Sequence, residues 1–246
     1  MAADAPTNTM PGAAAPTPYR AALGVLASLF LIWGFLSTLN NTLLPHLRSV
    51  FDLNYFQTTL IESVWFIAYF FAAIPSAKLI ERIGYKKSLV WGLLAMAFGA
   101  LLILPASQIP SYGMVLVPLF IIASGITLLQ VAANPYVAVI GSPATSSSRL
   151  NLVQAFNSMG TTLAPLFGGY LILGRSVSGT AEAGTVLTQA ERLADAQSLQ
   201  LPYILIAATL LVLAVVIALF PLPDIGATTR RASAEERKGH SLWRHR

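Results

Sequence analysis

Six long, nearly unbroken apolar stretches dominate the chain, at Ala21–Leu44, Phe56–Ile80, Ser88–Ala106, Gly113–Ile140, Leu150–Leu173 and Leu201–Leu222. Runs of roughly 20 apolar residues are what a helix needs to cross a bilayer, and a buried helix of a water-soluble protein is shorter, about 10–14. The pattern therefore predicts an all-α membrane protein with six transmembrane helices. Residues 1–20, rich in Ala, Pro and Thr, read as a flexible tail. They lack the charged-then-apolar layout of a cleavable signal peptide, and the first apolar run is too long for one. Span six is nearly devoid of polar groups. The connection from Gly174 to Gln200, with Glu182, Glu191, Arg192 and Asp195, reads as a solvated loop holding a short helix.

Composition removes the alternatives to a membrane protein. Of 246 residues, 55% are hydrophobic and only 10% charged, against about 25% charged for an ordinary soluble domain. The mean hydropathy is +0.67. Disorder is excluded too, since a solvated coil carries far less apolar surface. The absence of Cys removes disulfides, thiolate nucleophiles and cysteine metal sites,. No cofactor or metal is called for.

The net charge of +5 reports topology rather than nucleic-acid binding,. One side of the membrane receives Arg20, Lys78, Arg82, Lys86, Lys87, Arg149 and the six Lys and Arg of the tail at 226–246, twelve in all. The other receives Arg48, Arg175 and Arg192, three in all. This split predicts that both termini lie in the cytoplasm.

An internal repeat is also visible. Spans two and five align without a gap at a spacing of 92 residues, with Leu60-Ile61-Glu62-Ser63 over Leu152-Val153-Gln154-Ala155 and Leu79-Ile80 over Leu171-Ile172. Spans one and four align more loosely at a spacing of 89, which pairs Gly34 with Ala123 and Asn41 with Gln130. An odd number of spans per copy inverts the second copy in the membrane, so the expectation is two inverted three-helix repeats.

Polar side chains at membrane depth cost free energy unless they face the bundle interior or water. They cluster in three spans: Thr38, Asn40 and Asn41; Gln130 and Asn134; Asn151, Gln154, Asn157 and Ser158. Spacings of three or four residues place members of a cluster on one helix face. Amides and hydroxyls with few charges suit a neutral polyhydroxylated ligand, because each amide both donates and accepts. The alternative is interhelical hydrogen bonding that holds the bundle together. Glu62 is the only carboxylate well inside a span. Either it faces a central cavity, as its repeat-mate Gln154 suggests, or it reaches water from the outer third of its helix. Prolines 45, 75, 135 and 165 fit either cavity-lining breaks or ordinary kinks.

The turn Ala77-Lys-Leu-Ile-Glu-Arg-Ile-Gly-Tyr-Lys-Lys87 resembles the loop between the second and third helices of the major facilitator superfamily. Arg82, Gly84 and Lys86 fit that motif, while Glu81 replaces its aspartate, Ala77 its first glycine and Tyr85 a basic residue. Thr38-Leu-Asn-Asn-Thr-Leu-Leu-Pro45, Gln130-Val-Ala-Ala-Asn-Pro-Tyr-Val137 and Arg149-Leu-Asn-Leu-Val-Gln-Ala-Phe-Asn-Ser158 resemble the first-, fourth- and fifth-helix motifs of the fucose permease branch, which includes glucose/galactose and N-acetylglucosamine transporters. The resemblance covers about residues 21 to 225. It implies uptake of a hexose or hexose derivative by alternating access across a bacterial inner membrane. It also implies substrate contacts at Thr38, Asn40, Asn41, Gln130, Asn134, Gln154 and Asn157, and a gating role for Glu81, Arg82, Gly84 and Lys86.

Two departures bear on mechanism. Fucose permease carries an aspartate at the position of Asn41 and a glutamate at that of Gln130, both linked there to proton coupling. An amide neither binds nor releases a proton at these positions, which leaves sodium coupling, facilitated diffusion or a relocated titratable site at Glu62. The second departure is length, since the superfamily has twelve helices in two halves with the ligand between them. The expectation is an N-terminal half, either a truncated product or a half that pairs with another half or with itself. A six-helix channel fits poorly, because Asn134-Pro135 occurs singly and is followed by Tyr136. An intramembrane protease would need a Ser with a His base, or paired aspartates. His46, His240 and His245 all lie outside the span interiors, and no Asp lies within a span.

Overall fold

The computed structural model describes the backbone of residues 16–51, 54–108, 112–172 and 200–222, and the side chains of 20–39, 54–107, 113–170 and 200–222. Each of the six apolar stretches forms one helix: α1 (Pro16–Phe51), α2 (Tyr55–Ile83), α3 (Tyr85–Gln108), α4 (Tyr112–Val139), α5 (Ser146–Phe167) and α6 (Gln200–Leu219). A 3-10 turn at Pro143–Thr145 precedes α5 and a π turn at Gly168–Ile172 closes it. The leading residues 1–15, the connection 173–199 and the basic segment 226–246 lie outside the described residues.

Helix α1 is longer than its apolar stretch. It begins at Pro16, inside the segment expected to be a tail, and runs through Pro45 to Phe51. Proline is preorganised for the first helical position. An interior proline frees one carbonyl and is tolerated in a membrane bundle where neighbours re-satisfy it. Among the described residues, five helices are long and apolar enough to cross a membrane on length and composition alone. Helix α5 falls short because Asn151, Gln154, Asn157, Ser158, Thr161 and Thr162 lower its hydropathy.

Helix α2 starts at a reciprocal cap. The Gln57 backbone N–H donates to the Asn54 side chain at 2.8 Å, and the Asn54 N–H donates to Gln57 Oε1 at 3.0 Å. Two otherwise orphaned donors are thereby satisfied.

The main helix contacts run between the two three-helix repeats rather than within them. Helix α1 lies along α5 and α4 along α2, which is the pairing produced by a two-fold axis exchanging α1–α3 with α4–α6; α3 packs on both α4 and α6. Burial repeats at the spacing found in the sequence. Ile61, Ala68 and Ser76 of α2 are buried like Val153, Gly160 and Gly168, whereas Glu62, Phe66 and Phe70 are exposed like Gln154, Ser158 and Thr162.

Glycines set the closest crossings. A Cβ on Gly34 would overlap the Asn157 backbone, one on Gly160 the Leu31 carbonyl, and one on Gly125 the α3 backbone at Gly92 and Met96. Apolar lipid gives helices little hydrophobic reason to associate, so such close backbone approach is a principal source of cohesion. The buried core is concentrated in α1, α3, α4 and α6, while α2 and α5 expose much of their large apolar surface, including Phe66, Phe70, Phe71, Met159, Leu163 and Leu166.

Candidate functional site

Polar groups from α1, α2 and α4 meet at one junction. Gln130 Nε2 on α4 donates to the Tyr69 hydroxyl on α2 at 2.9 Å. Ser37 and Trp33 of α1 also lie against that hydroxyl. Ser37 Oγ is buried beside the phenol without meeting it, or any other group, in hydrogen-bond geometry. One turn earlier on α2, Trp65 Nε1 is likewise buried and unpartnered. An unpaired donor in a dry interior is costly, so this junction is rich in unspent hydrogen-bonding capacity. Thr38 follows Ser37 and is half-buried. One turn from Gln130, Asn134 Nδ2 donates to the Gln130 carbonyl at 3.2 Å, immediately before Pro135, through which α4 continues. Asn40 and Asn41 continue α1 past Leu39, and their side chains lie outside the described residues.

The amides of α5 are divided between two duties. Asn157 Nδ2 reaches α1 and donates to the Phe30 carbonyl at 3.0 Å, through the space that Gly34 leaves open. One amide hydrogen of Asn157 therefore ties two helices together. Gln154 instead stands exposed, and Asn151, Gln154, Ser158 and Thr162 follow one another at three- or four-residue spacing along an open side of α5. Of the site residues expected from sequence, Gln130 thus sits at the junction with Asn134 one turn on, Thr38 is half-buried on α1, Asn157 is a tie, and Gln154 lies on an open stripe.

Glu62 is exposed while its neighbour Ile61 is buried. It precedes Tyr69 by two helical turns and shares its side of α2 with Phe66, Tyr69 and Ala73, at spacings of four, three and four,. Sequence reading missed Tyr69, Trp65, Trp33 and Ser37. The first three sit inside apolar runs, where a hydropathy scan counts their rings and overlooks their hydroxyl or indole N–H.

Two turns between helices carry the basic residues. Glu81 and Arg82 are exposed at the end of α2, Gly84 alone joins α2 to α3 with φ +82°, and Lys86 is half-buried in the first turn of α3. Between α4 and α5, Arg149 is 3% exposed. Its guanidinium donates to the carbonyls of Val137 (3.0 Å), Ala138 (2.7 Å) and Ser142 (2.8 Å) and to Thr145 Oγ1 (2.6 Å). A cation at a helix C-terminus complements the free carbonyls there. Arg149 thus caps α4 from the first turn of α5.

An apolar crevice between α1, α5 and α6 is lined by residues such as Leu31, Phe35, Phe167 and Ile206. Its lone hydroxyl, that of Thr209, is spent on the Leu205 carbonyl at 2.8 Å. The α1–α2–α4 junction, with its amide and hydroxyls, is the more polar of the two places. No cluster of His, Asp or Glu able to hold a metal ion occurs among the described residues.

Residues 23–245 match the sequence profile of the Major Facilitator Superfamily. The chain belongs to this family. Within it, a glucose/galactose transporter of Brucella abortus is 43% identical over 228 residues, covering 93% of this chain and 52% of the relative. A putative glucose/galactose transporter of Helicobacter pylori is 41% identical over 92% of this chain and 53% of its own length. An L-fucose-proton symporter of Escherichia coli is 38% identical over 84% of this chain and 48% of its own length. The crystal structure of an Escherichia coli fucose:proton symporter superposes with a TM-score of 0.72 at 36% identity, over 84% of this chain and 50% of that one. A Major Facilitator Superfamily transporter crystallised in the outward conformation gives 0.73 at 37% identity, over 51% of its length. The chain spans about half the length of the relatives it matches. It is a multi-pass membrane protein with a major facilitator fold, and the relatives are named as transporters and symporters.

Proposed function

We propose that this chain is the N-terminal six-helix half of a transporter that moves a neutral hexose or hexose derivative across the bacterial inner membrane by alternating access. The single observation that carries this reading is the Gln130–Tyr69 hydrogen bond at the junction of α1, α2 and α4. It sets an amide with remaining capacity at membrane depth, beside unpartnered Ser37 and Trp65. Amides, hydroxyls and aromatic rings are the groups that recognise a sugar, through paired donors and acceptors and through stacking on its apolar face. The names of the relatives support the same substrate class. Thr38, Asn40, Asn41, Gln130, Asn134, Gln154 and Asn157 supply polar contacts in this reading, Asn157 while also tying α5 to α1.

The open faces of α2 and α5 receive a second six-helix half, from another chain or a second copy of this one. Neither Asn41 nor Gln130 titrates, so coupling, where present, uses sodium or the carboxylate of Glu62. Glu81, Arg82, Gly84 and Lys86 act as a gate at the cytoplasmic side in this reading, and the distribution of Lys and Arg supports the same side for both termini. The experiment is uptake of labelled D-glucose, D-galactose and L-fucose into proteoliposomes, with and without a sodium gradient or a pH step. Uptake of one sugar, lost in Gln130→Ala, is the expected result. Failure of all three to bind or enter overturns the reading. Binding without uptake favours a second reading, a non-transporting half that needs its partner, which the open α2 and α5 faces also support.

A further inference from the structure

We propose that Tyr69 is a positioning residue for sugar recognition, whose hydroxyl holds the Gln130 amide in one orientation beside the sugar. The proposal rests on reading the α1–α2–α4 junction as the sugar site. A glutamine side chain ends in an sp² group with a broad, roughly two-fold torsion, so an unrestrained amide presents its oxygen or its NH2 almost equally well. The two faces are chemically opposite: one accepts from a sugar hydroxyl and the other donates to it.

Nε2 of Gln130 is 2.9 Å from the Tyr69 hydroxyl and donates to it, which ties the end of the side chain to α2 and restrains the amide torsion. Trp33 and Ser37 of α1 lie beside the phenol hydroxyl. Tyr69 touches the amide rather than the sugar, and its effect is exerted through Gln130.

The test is a double-mutant cycle read in proteoliposomes with whichever of D-galactose, D-glucose or L-fucose the wild-type chain takes up. Tyr69→Phe keeps the ring and removes the oxygen. It raises KM about 3- to 10-fold, the worth of one net hydrogen bond, and leaves kcat unchanged. In a Gln130→Ala background, Tyr69→Phe produces no further rise, since there is no amide left to orient. A purely structural role would instead lower kcat or the amount of folded protein, and would do so equally in both backgrounds. Should Tyr69→Phe fail to accumulate, 3,5-difluorotyrosine at position 69 keeps the fold while weakening the oxygen as an acceptor, and raises KM in the same direction. A rise in KM for Gln130→Ala with none for Tyr69→Phe or the fluorinated residue overturns the positioning role alone. An unchanged KM in Gln130→Ala, or no uptake or binding of any of the three sugars by the wild type, overturns the sugar site and this proposal with it.

Discussion

Gly34 of α1 and Asn157 of α5 meet backbone to backbone: a Cβ on Gly34 would overlap the Asn157 carbonyl group, and the Asn157 amide passes the same point to reach the Phe30 carbonyl at 3.0 Å. A methyl group here has only backbone to push against, so α1 and α5 must separate. Gly34→Ala is expected to cost about 1–3 kcal/mol by overpacking and to lower the thermal midpoint in detergent. Gly24, also on α1, has nothing within 4 Å of an added Cβ. Gly24→Ala therefore leaves the midpoint unchanged or raises it slightly, because alanine favours the helix. Equal midpoints for the two variants would show that the crossing is looser than described.

Arg149 gives a second prediction, because its cap depends on shape as much as charge. Four acceptors converge on one planar guanidinium. Lysine offers a single point of donation and cannot span them. Arg149→Met is expected to cost about 2–4 kcal/mol, the range for losing a charged hydrogen-bond network and leaving buried carbonyls unpaired. Arg149→Lys recovers less than half of it. Limited proteolysis should report the same change locally, as new cleavage between Val139 and Ser146 in either variant, with the α2–α3 turn uncut.

At Gly84 the constraint is the backbone itself. With φ +82° and ψ 168° it occupies a region essentially restricted to glycine, and no atom lies within 4 Å of an added Cβ,. Gly84→Ala is expected to cost about 1–3 kcal/mol from strain alone. Asn, which eases an ordinary left-handed turn, should do no better, since the ψ value is wrong for that conformation. Thermal melts of the Ala and Asn variants decide this: near-equal losses fit, and a rescue by Asn does not.

The number and order of the helices were legible because hydropathy integrates over twenty residues and tolerates local exceptions. The repeat was legible as well, since the inverted copies bury matching positions such as Ala68 and Gly160. The polar site was only half legible. Gln130 stood out as an amide in an apolar run, but its partner Tyr69 did not, since phenols are common in membrane helices and their hydroxyl is invisible to a hydropathy count. Asn157 shows the opposite difficulty. Its residue type suits a ligand contact and an interhelical tie equally, and only the close approach at Gly34 reveals the tie. Arg149 read as a topological charge, because capping by a residue ten positions beyond the end of its helix depends on how the turn folds back.

Glu62 and Gln154 occupy equivalent positions of the two repeats and are both exposed, each beside a buried neighbour, Ile61 or Val153. The chain has no native Cys, so single-cysteine variants report one position at a time. Glu62→Cys and Gln154→Cys are expected to react with a membrane-impermeant maleimide in intact cells or inverted vesicles, while Ile61→Cys and Val153→Cys stay protected. If Glu62 lines the sugar path, the transported sugar slows labelling at 62, and Glu62→Gln abolishes the response of uptake to whichever gradient drives it. Labelling at 62 that is fast but indifferent to sugar, together with an unaltered gradient response in Glu62→Gln, would assign the carboxylate to the outer water and remove it from coupling.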